Sequence, residues 1–291
     1  LNLQYLLLAF LVVAGWGFNF VFIKIGLDGM PPILLCAIRF LLAAVPGVFF
    51  LPRPKAPWRL LLAYGLLTFA SQFSFLFLGM KLGMPPGLAS LVMQIQAFFT
   101  IGLAALFLND RPTAWKIVGA VISFSGIVLV GSNSGAEVTL IGLVLTVLAS
   151  FSWGAGNIFS KKIGPTPPLA LVVWGSLVAF PVVALLSLAV DGPQTIVSSL
   201  RHLTLASAGS VAYIVYISTL VCYSLWSWLL NRLPTATIAP FTLLVPIFGF
   251  LSSVLVLGET LPAWKILASL LVILGLCFNL LEPRLKAAFY R

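Results

Sequence analysis

Arg39 is the residue of this 291-residue chain whose surroundings fit its chemistry least. It lies eight positions into an apolar run that opens at Pro31, which is roughly 12 Å along a helix at about 1.5 Å per residue. A charge at that depth of a membrane-spanning helix costs about 2.5–3.5 kcal/mol on insertion scales. A guanidinium so placed holds a substrate carboxylate, ligates carbonyls at a broken helix, or snorkels and caps a neighbouring helix. Uncharged polar groups are scattered through other apolar runs, with Gln72, Gln94, Gln96, Thr100, Asn19 and Asn157 the most conspicuous. A buried amide needs partners, either a neighbouring helix or a solute in a wet cavity. Gln94 and Gln96 are two apart, about 200° around a helix, so only one of them faces a given cavity; Gln96 shares its face with Thr100 and is the better candidate. Tyr213, Tyr216, Thr219, Tyr223 and Trp226 recur at spacings of 3, 3, 4 and 3. They form one helix face that either packs or walls an amphipathic solute. Trp16 and Trp153, each three or four residues before an asparagine, belong with the same centre. The chemistry on offer is recognition of a small molecule.

Bond-breaking chemistry is poorly supplied. One histidine, His202, and three dispersed cysteines, Cys36, Cys222 and Cys277, give neither zinc-ligand spacing nor a Cys/His nucleophile pair. There is no G-x-x-x-x-G-K-[ST] loop, so nucleotide-driven transport within this chain is excluded. Asp191 with His202 in one loop is the single combination a membrane-embedded enzyme could use. No cofactor, no metal and no nucleic-acid partner is expected. All six acids fall at helix ends or in loops, which argues against a lipophilic cation as substrate and against proton antiport through a buried carboxylate. A neutral or zwitterionic solute fits better.

The elements that must position these residues follow from composition. The chain is 61% hydrophobic and 8% charged, with mean hydropathy +1.16, whereas a soluble domain is about 25% charged. Apolar runs bounded by Pro, Gly and charge predict ten membrane helices near 3–25, 31–51, 58–80, 86–108, 113–131, 138–160, 168–190, 206–230, 235–257 and 262–281. Prolines at 31 and 32, 85 and 86, 112, 167 and 168, 234 and 262 stand where a first helical turn tolerates a missing N–H. With both termini inside, eleven basic residues face the cytoplasm: Arg53, Lys55, Arg59, Arg111, Lys116, Lys161, Lys162, Arg232, Arg284, Lys286 and Arg291. Lys24, Lys81, Arg201 and Lys265 face out, so the positive-inside rule places both termini in the cytoplasm.

An internal repeat organises the chain. LNDRPTAWKI from Leu108 returns as LGETLPAWKI from Leu257, an offset of 149 that carries Gly126 onto Gly275 and Pro85 onto Pro234. Trp16, Gly17, Asn19, Lys24 and Gly26 find Trp153, Gly154, Asn157, Lys162 and Gly164 with one residue inserted. Residues 1–132 and 137–284 are therefore read as two five-helix repeats. An odd number of helices per repeat inverts the second copy, and such carriers bind solute near the midplane and alternate access by rocking or gating of the halves. Pro46, Pro181, Pro240 and Pro246 fall inside predicted helices and are hinge candidates. Ser152, Gly156 and Ser160 make a small-residue face for helix packing. A chain that holds both halves is expected to act as a monomer in the bilayer.

The segments WGFNFVFIKIGLDGMPPILLCAIRF from Trp16, GMPPGLASLVMQIQAFFTI from Gly83 and FSWGAGNIFSKKIG from Phe151 resemble the ten-helix EamA-type exporters of the drug/metabolite transporter superfamily. The resemblance runs through nearly the whole chain and is nearest to bacterial cysteine and O-acetylserine exporters and related amino-acid exporters. It implies an all-α polytopic protein of the inner membrane with a central cavity between two halves, exporting amino acids or related zwitterionic metabolites. The alternative within transport is a broad-specificity drug exporter.

Overall fold

A computed structural model describes residues 3–135, 137–230, 232–233 and 238–289, with Ala239 and 281–289 as backbone. Pro234 and Arg291, used above for the repeat and the charge balance, lie outside the described residues, as do the side chains of Arg284 and Lys286. Among the described residues there are ten long apolar helices: α1 (Leu3–Gly29), α2 (Pro32–Val48), α3 (Trp58–Lys81), α4 (Pro86–Leu108), α5 (Ala114–Ser132), α6 (Leu140–Ile163), α7 (Pro168–Val190), α8 (Leu205–Leu230), α9 (Pro240–Leu257) and α10 (Ala263–Phe289). Nine carry a stretch long and apolar enough to cross a bilayer; α2, at 17 residues, is the short one. It stops at Val48, three residues before the predicted end, and the segment Leu51–Pro57 leaves the membrane helix. The sequence reading missed a short surface helix, Pro193–Arg201, between α7 and α8.

Local signals explain the ends. Thr113, Thr139 and Thr204 cap α5, α6 and α8 by accepting from the amides of Lys116, Gly142 and Ser207, which satisfies one orphan N–H each. The matched decapeptides end α4 and α9 in the same way. Asn109 (φ 55°) and Gly258 (φ 66°) are left-handed, and the next amides, of Asp110 and Glu259, bond back six residues to Ala104 and Ser253. Two departures from α geometry also recur in corresponding helices. The third helix of each set has a π-helical segment, Leu66–Ser71 in α3 and Tyr213–Val221 in α8. The fourth has a 3₁₀ segment, Met93–Ile95 in α4 and Ala239–Leu244 leading into α9.

Packing joins the first five helices to the last five almost everywhere. A Cβ on Gly119 of α5 would lie 2.5 Å from the Gly275 carbonyl of α10, and one on Gly126 would lie 2.9 Å from the Ala268 carbonyl. The two contacts exchange under the 149-residue offset, and the two helices run antiparallel. Gly154 of α6 meets Gln96, Phe99 and Thr100 of α4, while Gly17 of α1 meets Val245, Phe248 and Gly249 of α9, again 149 apart. No side chain larger than hydrogen fits at either crossing. The Leu34 amide at the head of α2 donates to Asp191 Oδ2 at the foot of α7 (3.0 Å), and the Trp174 indole donates to the Leu51 carbonyl (3.2 Å). Tyr213 of α8 donates to the Gly15 carbonyl of α1 (3.0 Å). The halves are interleaved rather than stacked, so rocking one half as a rigid body against the other would break most of these contacts.

Candidate functional site

Arg39 is 4% exposed, and the sequence-based options of snorkelling and helix capping do not describe it. Its Nη2 donates to Thr219 Oγ1 (3.1 Å), and its guanidinium carbon lies 3.9 Å from the centroid of the Phe73 ring. Nε and Nη1 have no hydrogen-bond partner. Thr219 is positioned by the π-helical stretch of α8, where its hydroxyl donates to the Ile214 carbonyl five residues back (2.8 Å). One turn on, Tyr223 and Trp226 meet Trp16 of α1 at ring distances of 5.4 and 5.3 Å. The Trp16 indole is held by the Ser218 carbonyl (3.1 Å). Arg39 is thus tied to Thr219 and Phe73, and Trp16, Tyr223 and Trp226 form an aromatic group on the same stretch of α8 as Thr219.

A second polar cluster lies where α4 meets α6. Asn157 Nδ2 donates to Gln96 Oε1 (3.0 Å) and to Thr100 Oγ1 (3.1 Å), and the Thr100 hydroxyl donates to the Gln96 carbonyl (2.8 Å). The close approach at Gly154 brings these three side chains within reach. Their equivalents across the repeat are Asn19, Val245 and Gly249, so Asn19 loses both partners. Its Oδ1 is buried and unpartnered, as is Gln72 Oε1. Trp153 packs on the hydrophobic core without a polar contact of its own.

Other expectations are relocated. Tyr213 stacks on Phe22 with centroids 3.8 Å apart and serves the α1–α8 packing. Tyr216 is 45% exposed and, among the described residues, has none of the ring contacts that join Tyr223 and Trp226 to Trp16. A π-helix closes its bonds i→i+5, so a face counted at 3.6 residues per turn rotates out of register across it. Pro46 stands two residues before the end of α2 and breaks little. Pro240 and Pro246 do not bend an α-helix interior, because the chain is 3₁₀ between them and α only from Val245. Pro181 remains within continuous α-helix.

Sequence reasoning placed Lys265 among the outward-facing end charges, and the structure buries its side chain. Lys265 is 2% exposed and lies 2.9 Å from Glu137 Oε2, with a further bond to the Thr260 carbonyl (3.1 Å). Glu259, in the adjoining loop, has both carboxylate oxygens buried without a completed hydrogen bond, and it faces Gly87 at the head of α4. Desolvation raises its pKa above the ordinary carboxylate value, against the opposing charge of Lys265. Glu137 is shifted the other way, held low by hydrogen bonds from Lys265 and then Thr260. These residues stand at the ends of apolar runs, where a charge ordinarily reads as solvated.

The model of the EamA-like transporter family matches residues 3–132 and again residues 140–281. The chain belongs to the EamA-like transporter family. A "Probable amino-acid metabolite efflux pump" of Salmonella typhimurium (strain LT2) is 42% identical over 285 residues, 96% of this chain and 95% of the relative. A protein of the same description from Escherichia coli (strain K12) is 42% identical over 287 residues, 97% and 96% of the two chains. A solved crystal structure shares the fold at TM-score 0.66 over 96% of each chain, with 18% identity. The EamA-like chain is therefore a polytopic helical membrane protein of a transporter family, and the buried Arg39 and the partly buried Gln96–Thr100–Asn157 cluster lie inside that fold.

Proposed function

We propose that this EamA-like protein exports amino acids or related small zwitterionic metabolites across the bacterial inner membrane as a secondary carrier. Full-length identity of 42% with two proteins described as amino-acid metabolite efflux pumps carries the reading. The antiparallel, reciprocal contact of α5 with α10 supports an inverted arrangement of repeats 1–132 and 137–284. The excess of basic residues on one side supports cytoplasmic termini, which puts Glu259 at the outer end and Asp110 at the inner end. Both halves in one chain support a monomer. The solute path runs past Trp16, Asn19, Arg39, Gln72, Gln96, Thr100, Trp153, Asn157, Thr219, Tyr223 and Trp226, with Pro181 as the remaining hinge. Broad drug export is not favoured, since among the described side chains every carboxylate stands at a helix end or in a loop.

The test is flux of labelled cysteine, O-acetylserine, threonine, methionine and tryptophan through purified protein in liposomes, with and without a pH gradient. Saturable flux of at least one is expected. Absence of flux for all five, with the protein folded, overturns the reading. Unchanged flux in the Arg39→Ala, Gln96→Ala, Tyr223→Ala triple variant would remove these residues from the path.

A further inference from the structure

We infer that Arg39 is the seat of the transported solute's free carboxylate, so that acids are carried and their amides are not; this rests on the amino-acid export reading above. A guanidinium offers five N–H groups, of which the single one on Nε and the two on Nη1 find no acceptor. Among the described residues no carboxylate pairs with it. A buried arginine kept for architecture has its donors closed by carbonyls or an acid, because an unpaired buried charge is strongly destabilising. Here, among the described residues, one neutral hydroxyl, Thr219 Oγ1, is its only hydrogen-bond acceptor. The surroundings suit an anion: the Phe73 face lies 3.9 Å from the guanidinium carbon, and Arg39 is only 4% exposed, so low polarity strengthens a charge-assisted bond. Arg39 and Phe73 come from α2 and α3, while Thr219 and Tyr223 come from α8, so a ligand bound here would tie the two sets of helices together. Both α3 and α8 are π-helical next to this point, and π segments are common where a helix serves a ligand.

Each of the five amino acids is compared with its carboxamide, by inhibition of labelled flux in liposomes and by quenching of intrinsic tryptophan fluorescence in detergent for the non-indole members. Wild type is expected to prefer acid over amide by about tenfold or more, the worth of one charge-assisted hydrogen bond. Arg39→Gln should lose that preference and bind the two about equally, acid binding falling by more than amide binding, and Arg39→Lys should keep the preference at reduced affinity. Should Arg39→Gln fail to insert, Thr219→Val serves instead, raising the KM for acids by more than it weakens inhibition by the amides. Wild type that moves amino acids yet treats acid and amide alike overturns the Arg39 assignment and leaves export standing. An Arg39→Gln protein that retains the wild-type preference also overturns it. Failure of wild type to move any of the five condemns the export reading itself.

Discussion

Asp110 and Glu259 hold the same place in the repeated decapeptide, each following a left-handed cap at the end of the fourth helix of its set, and their environments are nearly opposite. Asp110 is exposed, and its pairing with Lys161 is loose, at 3.8 Å with both side chains more than half accessible. Beside it a groove of about 170 Å³ opens between α4 and α6, lined by Leu103, Phe107, Ala155, Ile158, Phe159 and Lys162. At the Glu259 end the carboxylate is enclosed, Lys265 is buried, and Glu137 and the head of α4 close over both. Equivalence in sequence is therefore not equivalence in state. The same motif serves a packed end and an exposed one within one conformation.

The largest expected effect comes from reversing charge at the two equivalent positions. Glu259→Lys sets a second cation beside Lys265 and against a helix N-terminus, and should destabilise the protein by about 2 kcal/mol after allowance for partial exposure. Asp110→Lys should change stability by no more than about 0.5 kcal/mol. Equilibrium unfolding in mixed micelles measures both, and equal losses would abolish the contrast. If the two ends exchange environments during the cycle, Asp110→Lys should nonetheless slow flux in liposomes while leaving stability alone.

Next in size is a pH effect confined to the closed end. The carboxyl of Glu259 is raised in the folded protein, so the folded state binds its proton more readily than an unfolded chain with an ordinary value of about 4.3 does. Stability should then rise as pH falls from neutrality through the raised value toward that ordinary one, and be lost again as pH rises. Glu137 is depressed, so its contribution holds above about 4.3 and fades only at lower pH. Thermal unfolding from pH 7.5 to pH 5 should climb in wild type and stay flat in Glu259→Gln. The smallest effect is the coupling of Asp110 with Lys161, which a double-mutant cycle should put within about 0.5 kcal/mol of zero, below that of Glu137 with Lys265.

Much of this was legible in the sequence, for a physical reason. Hydropathy and proline placement report what a bilayer demands of each helix separately, and they located all ten. The repeat offset made Gly126 and Gly275 equivalent, and the structure sets them at two reciprocal crossings of α5 with α10 rather than against each other; the two-residue separation of Gln94 and Gln96 selected the one that bonds Asn157. Properties that depend on other helices were hidden. Tyr216 was misassigned because its face was counted as α-helical through a π segment. Lys265 was taken for a solvated end charge because its burial is supplied by Glu137 and Thr260 from the loops around it. The bends expected of Pro240 and Pro246 are taken up by a 3₁₀ stretch that both prolines tolerate.

The interleaving of the halves has a consequence for how the protein is made. Arg39 and its one hydrogen-bond acceptor, Thr219, are 180 residues apart in the chain. At a synthesis rate of about 5–20 residues per second, Arg39 emerges about 10–40 s before Thr219 exists. For that interval the first five helices hold a charged side chain and the amides of Asn19 and Gln72 in lipid, water or the insertion machinery, without the neighbours that bury them. The first half is thus assembled as a provisional structure, and only the arrival of α8 gives its central charge a place to rest.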